Sequence, residues 1–361
     1  SIFPAVDKVN KEKVSRYSPI DYHSLAQSIY QQNDGQICLE WQEDAQGLPL
    51  EPGSIAPGGT GILQAQRQCP LMAYVDYRLG AKYGFQQVED SLQNTNQGTL
   101  IHAVLEMFWQ EVQTQVAMLA LTAEEKRERL KTHIRNAFTE LQHGLSEAIQ
   151  KVEESRILEL CLQWLELEEN RESFKVLETE QQHLLRLAGI DFKIIIDRID
   201  EVAGEAVILD YKTGRASIEN LMKTPLAAPQ LAVYLLAVEK QVSGIGYAML
   251  HSDDGVKINA VVEDEEVINK ARTIKVFSKL AEKEGGDYYQ TSWNDFLDHL
   301  KQQVLELAQQ VQLGHAPMTF EKLTDFQYAE GYLALRVPEV LQQMDASEFE
   351  EQAGQFGEAK A

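Results

Sequence analysis

Apolar residues recur with two different periods along this chain, and the periods separate helical segments from strand-like ones. After Gly98 they recur every three or four positions up to Val112, which predicts an amphipathic helix that runs past Gln115. Denser apolar runs rich in β-branched residues predict strands, with Gly-containing turns between them. The predicted strands span 174–187, 190–202, 206–212, 245–251 and 255–262; further helices are predicted over 122–151, 153–170 and 294–313, with one opening at Gln230.

The order of these elements is helix, antiparallel strands, helix, strand. That order predicts an α/β sandwich built on a mixed central sheet. The two charged helices between about 120 and 170 are predicted to form a helical insertion that packs beside the sheet.

Two acids and a lysine stand at the ends of two adjacent predicted strands. Asp197 ends one apolar run and Asp210-Tyr-Lys212 ends the next, with a turn around Gly204. In such a hairpin both acids come near one end of the sheet, and Lys212 points to the same face as Asp210 because side chains alternate. Close carboxylates are costly without a cation, and oxygen ligands suit Mg²⁺ or Mn²⁺. A neighbouring lysine can hold a water or stabilise charge on a phosphate.

Taken alone, each of these residues would more often be a solvated surface charge. The whole arrangement favours a site, because a helix opening near Gln230 follows the two strands. His102 lies at the margin of the first helical stripe, where histidines are commonly boundary residues. Near two carboxylates, its imidazole would complete a set of ligands for a divalent metal. Glu106, one turn further on, could orient that imidazole.

Several segments together resemble the nuclease domain of the RecB-like branch of the PD-(D/E)XK superfamily, which is related to the AddB and RecB subunits of bacterial DNA repair nucleases. Beyond the hairpin, the resemblance rests on segments 59–70, 77–81, 98–106 and 178–180. It covers roughly residues 58 to 340. It implies a restriction-endonuclease-like core, with a mixed central sheet flanked by helices.

The resemblance also implies roles for single residues. His102 and Asp197 would be metal ligands, Asp210 would bind or bridge the metal, and the backbone carbonyl of Tyr211 would complete the set. Lys212 would be the catalytic lysine.

Four further residues belong to the predicted site. Gln230 and Tyr234 match the family's helix motif, which supports the site and is expected to contact the DNA backbone. Glu180 matches a strand acid that some members place near the metal. Arg198, next to Asp197, is expected to bind substrate.

One departure from the resembled family concerns an iron–sulfur cluster that many relatives carry. Cys69 stands at the position of their first cluster cysteine, but Phe326, Ala329 and Leu335 stand where three more would be expected. A lone thiolate cannot hold a cluster. The prediction is therefore no iron–sulfur cluster, with Cys69 a small buried side chain and apolar packing of Phe326 and Leu335 in place of the metal clip.

The composition limits the classes of protein to which the chain can belong. The 361-residue chain is 44% hydrophobic and can bury one large core or two modest ones. Its three cysteines imply no disulfide framework and fit a reducing compartment. No apolar run reaches the length of a membrane span, and no signal peptide is evident. A cytoplasmic protein with no membrane association is expected.

The formal net charge of −23 opposes binding to DNA, because proteins that bind phosphates usually present a basic surface. Basic residues do occur near the predicted site, at Arg198, Lys212, Arg215 and Lys223. Even so, the overall field predicts weak nonspecific DNA binding by this chain alone. A helicase or another repair subunit with a basic surface would resolve the conflict.

These observations predict three regions: an arm and loop over 1–57, a RecB-like nuclease domain over 58–337, and an acidic tail over 338–361 that is poorly ordered or binds a partner. The predicted function is a Mg²⁺-dependent deoxyribonuclease, of exonuclease type, in DNA repair or recombination. Two alternatives stay open. One is a catalytically silent scaffold subunit of a helicase–nuclease complex; the other is an RNA nuclease.

Overall fold

The computed structural model describes residues 45–83, 94–141, 147–252, 254–268, 272–279, 292–326, 329–331 and 334–335. Most of the predicted arm and all of the predicted acidic tail lie outside these ranges. Within the described ranges, no helix combines the length and the apolar character needed to cross a bilayer.

A mixed sheet of six strands forms the centre of the described part, and its strands lie side by side in chain order. Neighbouring strands are antiparallel except for two parallel pairs, β3 with β4 and β5 with β6. The strands are β1 (Phe174–Leu187), β2 (Ile190–Val202), β3 (Glu205–Lys212), β4 (Val242–His251), β5 (Gly255–Val262) and β6 (Ile274–Val276). The α/β prediction with a mixed central sheet is confirmed.

The helices lie before, within and after the run of strands. They are α1 (Thr60–Gln68), α2 (Pro70–Ala73), α3 (Asn94–Val112), α4 (Gln115–Leu119), α5 (Ala123–Leu141), α6 (Glu147–Glu169), α7 (Gln230–Tyr234) and α8 (Trp293–Leu313). Between α2 and α3 the chain makes a π-helical turn (Tyr74–Arg78) and a 3₁₀ turn (Ala81–Tyr83), and two further 3₁₀ turns are Ile218–Met222 and Leu323–Phe326. The predicted break near residue 152 is wrong, because α6 runs without interruption from Glu147 to Glu169.

Strand β3 shows how the sheet divides the core into two layers. Ala206 and Ile208 belong to one hydrophobic cluster, together with residues of α1, α7 and α8. Val207, Leu209 and Tyr211 belong to a second cluster, with residues of α3, α5 and α6. Successive side chains of a strand point to opposite faces, so alternate residues of one strand supply both layers. Helices α5 and α6, which belong to the predicted helical insertion, therefore pack on one face of the sheet together with α3.

The turn between β2 and β3 fixes the register that positions the two acids. Only Ala203 and Gly204 lie between the strands, and their φ angles are 51° and 94°. Two consecutive positive φ angles are typical of the tight hairpin turn whose twist matches that of the flanking strands. The resulting register pairs Arg198 with Leu209, which brings Asp197 and Asp210 to the next position along the two strands.

Cys69 and the apolar residues that stand at the expected cysteine positions lie in one core. The Cys69 thiol is buried, its Sγ lies 3.7 Å from Sδ of Met318, and burial raises the pKa of the thiol. Phe326 and Leu335 are buried in the same hydrophobic cluster, and Ala329 packs against it. These positions act as packing groups in this protein.

Candidate active site

Asp197 and Asp210 lie on neighbouring strands with both carboxylates buried. The backbone N–H of Tyr211 donates a hydrogen bond of 2.8 Å to Oδ2 of Asp197, which fixes that carboxylate against β3. Burial raises the pKa of Asp197 well above its usual range, and the negative charge of Asp210 raises it further. A buried carboxylate whose ionisation is opposed by a second buried carboxylate is a place where a cation is strongly favoured.

The His102 imidazole comes to these acids from helix α3. Its Nδ1 lies 2.7 Å from Oε1 of Glu180 and 3.6 Å from Oδ2 of Asp197, and its Nε2 lies 3.1 Å from the carbonyl oxygen of Tyr211. Both ring nitrogens thus face acceptors, an arrangement that suits an imidazolium, since only the charged ring donates at both positions. Burial opposes that charge, but the hydrogen bond to Glu180 and the nearby carboxylates outweigh it and raise the pKa of His102 to about 9.

Glu180 reaches the site from an irregular part of β1. The pairing register of β1 with β2 shifts between Val176 and Glu178, and Glu180 itself has a φ of 45°. A left-handed glutamate inside a strand is uncommon and carries strain of about 1–3 kcal/mol, and such residues cluster at functional sites. No feature of the sequence predicts this conformation.

Lys212, Gln230 and Tyr234 form a closed ring of contacts with Asp210. Nζ of Lys212 lies 2.5 Å from Oδ2 of Asp210 and donates to Oε1 of Gln230 at 2.9 Å. Nε2 of Gln230 donates to the Tyr234 hydroxyl at 2.8 Å, and that hydroxyl donates to Oδ1 of Asp210 at 3.2 Å. Burial and the adjacent Asp210 charge raise the pKa of Tyr234 well above its usual range, so it remains a donor.

These contacts contradict part of the expectation that Gln230 and Tyr234 contact the DNA backbone. Tyr234 is 1% exposed and therefore cannot contact a DNA backbone, whereas Gln230 is half-buried. Helix α7 places both residues four positions apart on one side, where they hold Lys212 and Asp210 in fixed positions.

The prediction that Arg198 binds substrate is wrong, because its guanidinium is fully buried. Arg198 pairs with Glu168 on α6 at 2.9 Å and with Asp200 at 2.7 Å, and it lies 4.3 Å from the ring centre of Trp109. The physical reason is strand alternation: Asp197 faces the site, so the next residue points into the opposite layer of the core.

The cleft over these residues has a volume of about 470 Å³ and is lined by His102, Glu180 and Lys212, among others. Glu106 also lines it, but Glu106 accepts a hydrogen bond from Nε2 of Gln110 at 2.9 Å, and it is Glu180 that holds the imidazole. Two residues that directly follow Lys212, Thr213 and Gly214, also line the cleft but were not predicted to belong to the site. Their position next to the Asp-x-Lys motif was the sequence signal that could have identified them.

The donor atoms suit a hard divalent cation. One ligand atom each from His102, Glu180 and Asp197 lies within 4.8 Å of the others, and Asp210 adds a buried carboxylate beside them. Carboxylate oxygens, a backbone carbonyl and one imidazole are a set that Mg²⁺ or Mn²⁺ accepts. The residues present thus fit such an ion.

Metal binding is expected to release protons at neutral pH. The pKa of His102 is about 9, so the ring is protonated at pH 7.5, whereas a ligating imidazole must be neutral. Below that pKa, Mn²⁺ affinity should therefore rise with pH, by up to about tenfold per unit. Titration calorimetry at pH 7.5 in two buffers of different ionisation enthalpy measures this release. The His102→Gln variant should release fewer protons, and a buffer-independent heat for the unaltered protein would contradict the expectation.

Comparison with known proteins places these residues in a family. A family model described as the PD-(D/E)XK nuclease superfamily matches residues 61–323, a range that contains every residue of the site described above. No curated protein matches the chain. A solved structure titled "Crystal structure of SSO0001" is 12% identical, with 76% of this chain and 94% of that chain covered, but its TM-score of 0.26 is too low to carry an argument.

Proposed function

The chain belongs to the PD-(D/E)XK nuclease superfamily, and from this premise we propose that it is a Mg²⁺- or Mn²⁺-dependent deoxyribonuclease of DNA repair or recombination. One observation carries the proposal: His102 and Lys212 line a single cleft, and they contact the buried Asp197 and Asp210, so that groups from three separate elements meet there. A chain that kept only the fold would have no physical reason to retain two buried acids beside a lysine.

The metal would be held by His102, Asp197, Asp210 and the carbonyl of Tyr211, with Glu180 next to them. A divalent cation bound there supplies Lewis acidity for the phosphate and lowers the pKa of an attacking water. Nδ1 of His102 donates a hydrogen bond to Oε1 of Glu180, and this contact orients the ring toward the Tyr211 carbonyl.

Lys212 is the group of this chain best placed to act on the phosphate. Its side chain is 30% exposed toward the cleft, whereas its partner Asp210 is fully buried. Gln230 and Tyr234 fix the lysine and the acid relative to each other, so little reorganisation is needed when negative charge develops on a phosphate oxygen. Tyr234 remains protonated and continues to donate to Asp210 throughout.

Cleavage of end-labelled and circular DNA, each single- and double-stranded, tests the proposal. With Mg²⁺ or Mn²⁺ we expect shortened products from linear substrates that disappear with a chelator. The Lys212→Ala variant should lose at least about 10²-fold in rate while its circular dichroism stays native, because one preorganised donor is removed. An unfolded Lys212→Ala protein would undercut a catalytic role for this residue, and cleavage of circular DNA would contradict exonuclease action.

A second candidate is a silent scaffold subunit, which the net charge of −23 favours because that field repels DNA. The same experiment separates the two. Tight metal binding without cleavage would indicate that a partner with a basic surface, such as a helicase, is needed. Absence of both cleavage and metal binding would favour the scaffold. Parallel assays on RNA of the same sequence decide the sugar preference, since a metal site that binds phosphates does not select it.

A further inference from the structure

A second, smaller pocket lies beside the active-site cleft. Its volume is about 220 Å³, and it is more enclosed than the cleft. The two cavities share Thr213 and Gly214, which directly follow Lys212 at the end of β3. The short segment that leaves the catalytic strand therefore forms a wall common to both cavities. A group bound in the pocket would be a close neighbour of a group bound at the metal site.

The lining of this pocket is more polar than apolar, and it includes hydrogen-bond donors suited to an anion. Helices α3 and α6 contribute an amide and a guanidinium, the last residue of β4 contributes an imidazole, and the residue after it contributes a hydroxyl. The polar lining residues are Gln97, Arg156, Thr213, His251 and Ser252.

Arg156 is held in place but keeps donor capacity. Its Nε donates to Oε2 of Glu153 at 3.0 Å, and its Nη1 donates to Oγ of Ser252 at 3.2 Å. The buried Nη2 lies 3.0 Å from the same Glu153 oxygen, yet it makes no well-directed hydrogen bond to any described residue. A guanidinium fixed in this way is preorganised for a group with several oxygens, and its planar fork matches a phosphate.

We propose that this pocket binds the terminal phosphate of a DNA strand whose nearest phosphodiester lies over His102, Asp197 and Lys212. The inference rests on the proposed nuclease function and deepens it. Phosphates repeat along a strand, so a donor-lined pocket next to the metal site would receive a neighbour of the scissile phosphate. An internal phosphate would need the strand to enter the pocket and leave it again, whereas a terminal one needs only a single opening. An enclosed pocket thus favours strand ends, and with them exonuclease action.

The test compares three oligonucleotides of one sequence, with a 5′-phosphate, with a 3′-phosphate, or with hydroxyls at both ends. Cleavage is followed with Mn²⁺, and binding is followed by fluorescence anisotropy in the presence of a chelator. We expect one phosphorylated end to be preferred over the hydroxyl end by about tenfold or more in kcat/KM, the effect of a charge-assisted hydrogen bond to a phosphate. The same end should be preferred in binding.

Variants assign this preference to the pocket. Arg156→Gln should bring the ratio between the two ends close to one, and Arg156→Lys should keep part of it. Ser252→Asp should also abolish the preference by giving Arg156 a competing carboxylate, and the larger side chain is accommodated because Ser252 is exposed. Arg135→Gln removes the same charge from an exposed position on α5 and should leave the ratio unchanged.

The outcomes separate this proposal from the nuclease proposal. Cleavage without end preference, unchanged in Arg156→Gln, would overturn the phosphate pocket and leave the nuclease intact. Absence of both cleavage and Mn²⁺ binding, with an end preference in DNA binding that Arg156→Gln abolishes, would overturn the nuclease and support the pocket. Absence of cleavage, of Mn²⁺ binding and of any end preference would overturn both proposals.

Discussion

The Asp210→Asn variant is expected to lose cleavage by about 10³-fold or more while folding normally. The substitution keeps the shape of the side chain and removes one negative charge from a position that is fully buried. It takes away a proposed metal ligand and the carboxylate that lies 2.5 Å from Nζ of Lys212. Both proposed sources of catalytic charge are therefore affected at once, so this variant should rank among the most severe.

The thermal stability of Asp210→Asn should not fall together with its activity. In the absence of metal, the charge of Asp210 is one of the causes that raise the pKa of the neighbouring Asp197. Removing that charge relieves the repulsion, so the metal-free variant should melt at the same temperature as the unaltered protein or slightly higher. Added Mn²⁺ should raise the melting temperature of the unaltered protein more than that of the variant. A ligand stabilises the native state more when it binds more tightly, and the variant lacks one proposed metal ligand.

Asp191→Asn provides the matched control for this experiment. Asp191 lies on the same strand as Asp197, and its carboxylate pairs with Arg186 at 2.8 Å, away from the cleft. The isosteric change there should leave both cleavage and the Mn²⁺-dependent melting shift unaltered. Equal losses in the two variants would mean that the activity responds to the sheet as a whole and not to the site.

The hairpin that carries the acids was predictable because local rules determine it. The strand bounds of β1 and β2 were predicted in full, and β3 begins one residue earlier than predicted. Apolar alternation and the glycine of the turn sufficed for this. Strand β6 was missed, since three residues carry no periodic pattern, and its parallel pairing with β5 is set by tertiary contacts.

Within the site, the sequence predicted which residues take part, but not the direction in which every side chain points. The rule that placed Lys212 on the face of Asp210 also excludes Arg198 from the face of Asp197, yet proximity in sequence suggested a substrate contact. Glu180 shows the opposite limit. Its contact with His102 depends on a left-handed backbone that neither pattern nor composition reveals. Tyr234 was placed correctly on its helix, but its depth of burial depends on packing from distant segments.

Arg198 itself carries the second large expected effect, which is on stability. Its guanidinium pairs with Glu168 and Asp200, and Arg171 also contacts both of these acids. All four side chains are fully buried. Removing one partner from such a network leaves a buried charge without compensation, which costs about 3–5 kcal/mol. Arg198→Met, which keeps much of the apolar volume, should therefore lower the free energy of unfolding in urea by about that amount.

A double variant tests whether the loss comes from uncompensated charge or from lost packing against Trp109. Adding Glu168→Gln to Arg198→Met removes the negative charge left behind, so it should recover part of the lost stability. Arg186→Met breaks an ion pair whose arginine is largely exposed and should leave the free energy of unfolding nearly unchanged. A comparable cost for the two arginines, or no recovery in the double variant, would show that the buried network contributes little.

The same substitution should also affect the active site in protein that remains folded. Nη1 of Arg198 donates to the Tyr211 hydroxyl at 3.2 Å, while the carbonyl of Tyr211 faces Nε2 of His102 and the two rings lie edge to face with their centres 5.6 Å apart. Tyr211 thus connects the buried network to the proposed metal site. At temperatures where Arg198→Met is still native by circular dichroism, its Mn²⁺ affinity should fall, and the double variant should recover stability more fully than affinity, because the Tyr211 hydroxyl still lacks its partner.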